Sequence, residues 1–363
     1  MRPLSRSILP VVLVAISLLA FNAEGFAHPR PHSQKDINRL RERAEKGFVL
    51  EQVELADAYL NGNGVTQDVA QAAHWYLKAA ESGDAGAENQ IGYFYMEGVG
   101  VSADSERAFH WFQLSSASGL AIAKVNLGVA YLRGFGVRPD PLMARQLFRE
   151  AVEKGVGEGA AYLAVMDQSG LGHSVDRVSA ERWLEMGVRL HSPKAAFDLA
   201  YLYSSTEGHP HNLQRAASLL RAAAGEGYLP AKNNLGLLLA NHPELASSGE
   251  ESRHLLFEAS SEGNWKSSVL MGILARDGNG VAADPNKAWY YFHLAGLQGG
   301  SDCEKLTRAD LKALELKLSV TEQAAATARA EAWFRQHQRP AALPFNPADT
   351  GHNSALMAVA GKE

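Results

Sequence analysis

The sequence has almost no cysteine. Cys303 is the single cysteine in 363 residues, so no disulfide can form within the chain and stability must come from packing. We expect Cys303 to be a small buried residue, with an intermolecular disulfide as the alternative. Positive charge is not in excess either, because 35 Lys and Arg stand against 40 Asp and Glu, for a net charge of −5. Without a basic stripe, nucleic acid is not expected as a partner.

Motifs that carry chemistry are also missing. The recurring G-x-G follows a helix rather than a strand, no phosphate-binding G-x-x-x-x-G-K-[ST] occurs, and no G-x-S-x-G nucleophile motif occurs. His74, His110 and His254 share one register but have no evident third ligand, and His209 and His211 match no zinc spacing. We therefore expect no cofactor, no metal site and no catalytic residue, and the chain is not predicted to be an enzyme.

One apolar run is present, Ile8–Phe21, preceded by Arg2 and Arg6. It is too short and too soon followed by polar residues for a convincing membrane span. Gly25-Phe26-Ala27 offers a small-x-small cleavage site, with cleavage after Ala23 or an uncleaved anchor as alternatives. We predict a signal peptide at residues 1–27, export of the rest, and no membrane span after cleavage.

The main positive feature is a repeat of fixed length. The glycines Gly62, Gly98, Gly134 and Gly170 are each 36 residues apart, and Gly278 follows after three more such steps. A second glycine two residues later and a closing glycine keep the same period, except where His191 replaces the closing glycine. A fixed period in this range without insertions is typical of a solenoid.

Each repeat predicts two helices. The first glycine suits a left-handed helix end, and one register holds a candidate N-cap for the second helix. These caps are Asp68, Asp104, Asp140, Asp176, Asn212, Ser248 and Asp284. In the second helix a small residue recurs, followed three residues later by a large apolar residue and seven residues later by another small one. This spacing places all three on one face of a helix. We expect the large row, such as Trp75 and Trp111, to fill the gaps between hairpins.

The first helix of each repeat carries a leucine-like residue followed by alanine or glycine, as in Leu55-Ala56 and Ile91-Gly92. A glycine inside a helix costs about 0.5–1 kcal/mol relative to alanine. Its recurrence predicts close contact between helices as the compensation.

These residues resemble the Sel-one-like repeat (SLR) family, a branch of the tetratricopeptide-like α-solenoids. The matching positions in one repeat are Ala87, Ile91, Gly92, Tyr95, Gly98, Gly100, Val101, Asp104, Ala108 and Trp111. The fifth repeat keeps only Gly208 of the loop glycines, the sixth has His242–Ser248 there, and the fourth has Asp167 where tyrosine is usual. The resemblance implies an all-α, right-handed superhelical solenoid of about seven helix–loop–helix repeats with terminal capping helices.

The resulting organisation has five parts. After the signal peptide we expect an N-terminal capping helix within residues 28–48, the solenoid at 49–300, C-terminal capping helices at 301–338 and a disordered tail at 339–363. In the capping region, Asp310 is a candidate start for one helix and Thr321 for a second.

A partner would lie along surfaces built from equivalent positions of successive repeats. If the stack curves as in tetratricopeptide proteins, positions of the first helix outside its Leu–Gly–Tyr face line a groove. The candidate groove residues are Glu54, Gln90, Tyr93, Asn126, Arg133, Tyr162, Asp198, Tyr201 and Asn234. Amide and tyrosine side chains suit recognition of an extended peptide.

The resemblance implies an interaction scaffold or adaptor in the bacterial envelope, most simply a periplasmic or secreted monomer that binds another protein or a peptide. The alternative is a peptidoglycan-directed binding protein or hydrolase. The irregular fifth and sixth repeats are a candidate weak point of the stack.

Overall fold

The computed structural model describes residues 33–172, 174–205, 212–248, 250–278 and 282–337. The predicted signal peptide (1–27), the predicted tail (339–363), His209 and His211 lie outside these ranges. Within them every regular element is helical, which confirms the all-α class. No helix in the described part of the chain is both long enough and apolar enough to cross a bilayer.

The described α-helices alternate between first and second helices of the predicted repeats, with α1 ahead of them and α16 after them. They are α1 Gln34–Glu45, α2 Val49–Asn61, α3 Val69–Glu81, α4 Ala85–Glu97, α5 Ser105–Ala117, α6 Ala121–Arg133, α7 Pro141–Glu153, α8 Gly157–Ser169, α9 Arg177–Arg189, α10 Pro193–Ser204, α11 Leu213–Gly225, α12 Leu229–Asn241, α13 Glu251–Ser261, α14 Trp265–Asp277, α15 Pro285–Glu315 and α16 Val320–His337.

The helices belong to two compact units, with unit 1 ending at Trp183 and unit 2 beginning at Leu184. In unit 1, α2 packs on α3, α4 on α5 and α6 on α7; in unit 2, α10 packs on α11, α12 on α13 and α14 on α15. Helices that follow each other between repeats, such as α3 and α4, also pack together. These repeats therefore bury their apolar sides against sequence neighbours within each unit, as a solenoid does.

Glycines close most of the first helices and polar caps begin the second helices, as predicted, with one exception among the caps. Gly62, Gly98, Gly134, Gly170 and Gly278 have φ between 65° and 77°, and His191 is the one non-glycine with positive φ among the described residues, at 57°. The side chain of Asp104 accepts hydrogen bonds from the backbone N–H of Glu106 and Arg107, and Asp68 and Asp140 cap their helices in the same way. Ser248 is the exception, because α13 starts later, at Glu251, and has no side-chain cap.

Glycines inside the first helices allow the close contact expected of them. A Cβ at Gly92 would lie 2.8 Å from the ring of Phe112, and one at Gly128 would lie 2.6 Å from Phe148. Phe112 and Phe148 are 1% and 0% exposed, whereas Trp111, one residue earlier, is only half-buried. The expectation that the tryptophan row fills the gaps is thus only partly right, since the following residue is the deeper one.

The C-terminal region corrects one predicted helix start. Gly300 has φ 56° and ψ −142° and breaks α15, which then continues to Glu315. Asp310 lies inside this second half, where it forms an ion pair with Arg276 rather than starting a helix. Cys303 is buried, as expected, and burial raises the pKa of its thiol to about 11.

Candidate partner-binding face

Three neighbouring first helices of unit 1 present equivalent residues at i, i+3 and i+7, which is one side of each helix. We call this set the first-helix face. Its residues are Gln90, Tyr93 and Glu97 on α4, Asn126, Val129 and Arg133 on α6, and Tyr162, Val165 and Ser169 on α8.

Two predicted contact residues on this face are buried. Asn126 is 4% exposed, and its amide donates a hydrogen bond of 2.8 Å to Asn89 on α4. Tyr162 is 3% exposed and stacks on Phe148, with ring centroids 4.9 Å apart and planes 10° apart. These side chains tie helices together rather than face a groove, which differs from the sequence-based expectation.

Other members of the face remain accessible. Gln90, Tyr93, Glu97 and Arg133 are half-buried, and Ser169 is exposed. Burial, and secondarily the charge of Glu97, raises the pKa of Tyr93 to about 12, so its hydroxyl is neutral and can donate at physiological pH.

The two charged residues on this face, Glu97 and Arg133, are partly shielded from water. Burial raises the pKa of Glu97, while the charge of Arg133 opposes that rise. Burial lowers the pKa of Arg133, and Tyr162 and Glu97 act in the other direction. The two charges therefore influence each other, but no ion pair joins them in the described part of the chain.

The remaining predicted residues lie outside these three helices. Glu54, on α2, is exposed. In unit 2, Asp198 accepts a hydrogen bond of 2.9 Å from Lys194, and Tyr201 is half-buried. Asn234 is 7% exposed and accepts a hydrogen bond of 3.1 Å from the side-chain amide of the preceding residue. Asp198 and Asn234 are thus held by contacts within their own helices.

Sequence reasoning missed the role of Asn89. It lies 37 residues before Asn126, one position off the strict period, so it belongs to another row of the repeat. Asn233 plays a similar part in unit 2, where its Oδ1 accepts a hydrogen bond of 2.9 Å from Ser267. Polar residues in an otherwise apolar row were the available signal.

A separate hollow lies in unit 2, whereas the first-helix face lies in unit 1. It is lined by the apolar side chains of Val188, Leu199 and Leu219, with Glu185 and Arg215 among the charged residues around it. The Glu185 carboxylate and the Arg215 guanidinium are 3.2 Å apart. Because these charges pair with each other, the hollow gives less reason to expect a charged ligand than the first-helix face does.

The helices, their glycine-closed ends and the stacking of neighbouring repeats define an α-solenoid. The model of the Sel1 repeat family matches this chain at residues 52–84, 85–120, 121–156, 157–192, 193–228 and 267–300, more than half of its length. The chain belongs to the Sel1 repeat family. The unmatched stretch between residues 228 and 267 contains α12 and α13, the pair with the irregular connection.

Several solved structures are similar to this chain. A Sel1 repeat protein from Oxalobacter formigenes is 27% identical, with a TM-score of 0.51 over 62% of this chain and 90% of that chain. A protective antigen of uropathogenic Escherichia coli with an SLR fold is 24% identical, with a TM-score of 0.43 over 84% of this chain and 73% of that one. An immunity protein from Pseudomonas aeruginosa is 20% identical, with a TM-score of 0.42 over 63% and 81%. A comparison with curated proteins gave no significant match.

Proposed function

We propose that this protein is an exported, non-catalytic interaction scaffold that binds an extended segment of a partner protein along the first-helix face. The observation that carries the proposal is the accessible group of Tyr93, Glu97 and Arg133 on α4 and α6. These helices are linked by the Asn89–Asn126 hydrogen bond of 2.8 Å.

Physical chemistry favours this surface for binding. A face fixed by buried contacts needs little ordering when a partner arrives, so more of the interaction energy appears as affinity. Tyrosine adds contact area at low cost in conformational entropy, and arginine adds directional donors. Solenoids of this kind use such extended rows for recognition.

Export is part of the proposal and rests on the N-terminal pattern of Arg2, Arg6 and the Ile8–Phe21 run. We expect the mature chain to start at His28, in the periplasm or outside the cell. N-terminal sequencing of protein from fractionated cells tests this, and a chain that retains Met1 in the cytoplasmic fraction would contradict it.

The binding proposal is tested by affinity capture with matched variants. A Tyr93→Ala/Arg133→Gln variant should lose a protein from an envelope extract that wild type retains. A control, His110→Ala/Arg149→Gln, changes exposed second-helix residues and should retain the same protein. Equal recovery with both variants, or loss with both, would contradict binding at this face.

We expect the scaffold to act as a monomer. No observation on the described residues favours the cell-wall-directed alternative, so we do not propose it. Turnover of purified peptidoglycan fragments by the mature chain would contradict the non-catalytic role.

A further inference from the structure

Arg133 is a half-buried cation that forms no ion pair with any residue the structure describes. It is the last residue of α6 and is half-buried, and its Nε is fully enclosed without a hydrogen-bond partner. A buried donor left unpaired costs about 1–3 kcal/mol, and more when the group is charged. A ligand from outside the chain cannot reach the enclosed Nε, but it can reach the accessible part of the guanidinium, because the side chain is only half-buried and forms no hydrogen bond or ion pair with the described residues.

Another arginine of unit 1 provides a comparison. Arg145 also has an Nε without a partner, but its Nη2 lies 2.7 Å from the Asp167 carboxylate. Arg133 makes no comparable ion pair within the described ranges, although Glu97 is near enough to act on its charge. Arg145 thus has a carboxylate at ion-pair distance, whereas Arg133 has none among the described residues.

The helix end does not account for this position. A cation in the last turn of a helix gains about 0.3–1 kcal/mol from the helix dipole. A fully solvated arginine would gain this interaction as well, with no need to enclose Nε. Arg133 instead lies on the helix between α4 and α8, and Glu97 on α4 and Tyr162 on α8 both act on its charge.

We propose that Arg133 binds the side-chain carboxylate of an aspartate or glutamate within an extended partner peptide. This inference rests on the proposed function and names the partner's chemistry at that site. A guanidinium binds a carboxylate through charge-assisted hydrogen bonds, often two in parallel.

The position of Arg133 along the face favours an internal side chain over a chain terminus. Equivalent positions continue on both sides, with Asn61 and Glu97 on the earlier first helices and Ser169 on the following one. A peptide lying along this row extends past Arg133 in both directions and so presents a side chain there.

Glu97 gives the proposal a second test, with the opposite sign. Its carboxylate repels an incoming carboxylate through the same proximity by which it acts on Arg133. Removing that charge should strengthen the binding of an acidic peptide, whereas removing the charge of Arg133 should weaken it.

The experiment uses fluorescent synthetic peptide pools on the mature chain, read by anisotropy. One pool has Asp or Glu at a central position among neutral residues and an amidated C-terminus. The second has Asn or Gln at that position, and the third is the second with a free C-terminal carboxylate. We expect wild type to bind the acidic pool about tenfold or more tightly than the amide pool, the value of one charge-assisted hydrogen bond.

Four variants locate the effect. Arg133→Gln should bring acidic-pool binding down to the amide level, and Glu97→Gln should raise it. Arg149→Gln removes the same charge from an exposed position on α7 and should change nothing. Tyr93→Ala should weaken all pools, because it removes contact area irrespective of charge. If Arg133→Gln fails to fold, the sign of the Glu97→Gln effect still decides.

Several results would overturn the inference. They are no preference for the acidic pool, a preference for the free C-terminus, or equal losses from Arg133→Gln and Arg149→Gln. If all pools bind equally and Tyr93→Ala weakens them, peptide binding at the face stands and only the carboxylate site fails. If no pool binds at all, both proposals fail.

Discussion

At the scale of single residues, two equivalent pairs use different chemistry for one contact. Phe109 on α5 meets Tyr131 on α6 edge to face, with centroids 5.3 Å apart. The equivalent positions 36 residues later in the chain are Arg145 on α7 and Asp167 on α8, which form an ion pair of 2.7 Å. The departure of Asp167 from the usual tyrosine is therefore matched by a change in its partner.

This match predicts strong coupling between the two positions. The Asp167 side chain is 2% exposed, so Arg145→Phe or Asp167→Tyr alone removes one member of a buried ion pair. Each single change should cost about 3–5 kcal/mol. The double change recreates the aromatic pair of the preceding repeat and should recover most of the loss. Urea denaturation of all four proteins measures the coupling. Additive losses would contradict the interpretation.

At the scale of elements, the glycines in the connections have two distinct roles. A Cβ at Gly136 would lie 2.1 Å from the carbonyl oxygen of Ser105, the first residue of α5, and one at Gly100 would lie 2.2 Å from that of Val69 on α3. Gly119 closes α5 with φ 92° and has nothing within 4 Å of the Cβ position. The second loop glycine thus lets one repeat stack on the helix start of the repeat before it, whereas the closing glycine serves only its own backbone.

Alanine substitutions should separate these roles. Gly119→Ala should cost about 1–2 kcal/mol, because alanine is strained at positive φ. Gly136→Ala has the same strain and a clash with backbone that cannot rotate away, so we expect about 1–3 kcal/mol more. Denaturation midpoints of the two variants, measured side by side, test the difference. Equal losses would mean that close stacking does not require Gly136.

At the scale of the whole molecule, the connection between α12 and α13 departs from the repeat. It contains a short 3-10 turn, Pro243–Leu245, in place of a glycine loop, and α13 has no side-chain cap. Arg221 supports this connection with a hydrogen bond of 2.6 Å to the Leu245 carbonyl oxygen and an ion pair of 2.8 Å with Glu251. These side-chain contacts thus replace part of the support that the left-handed glycine turn gives in other repeats.

Hydrogen exchange should identify this connection as a weak point. We expect amides of residues 242–248 to exchange faster than those of the equivalent loop at 98–104, where Gly98 is left-handed and Asp104 caps α5. Mass spectrometry of one sample measures both segments, so each serves as the reference for the other. Equal protection would show that Arg221 fully replaces the lost glycines.

The positions of helices, caps and turning glycines could be predicted because they depend on local chemistry. Asp104 bonds to its own helix start, and Gly98 turns where a Cβ would strain the backbone; neither needs a distant partner. The failures lie where local chemistry stops. Ser248 occupies the cap register, yet its helix begins later, and Asp310 resembles a cap but pairs with Arg276 inside a helix.

The sequence by itself determined the repeat, its period and therefore the solenoid class, since a constant spacing of glycines, caps and apolar faces permits no other packing partner than the neighbouring repeat. The tertiary structure alone decided which members of each row are accessible. Asn126 and Tyr162 are buried while Tyr93 and Arg133 stay within reach. The reason is that exposure on a helix depends on which side chains of the adjacent repeat contact it, such as Asn89 and Phe148. The repeat period alone does not specify those contacts.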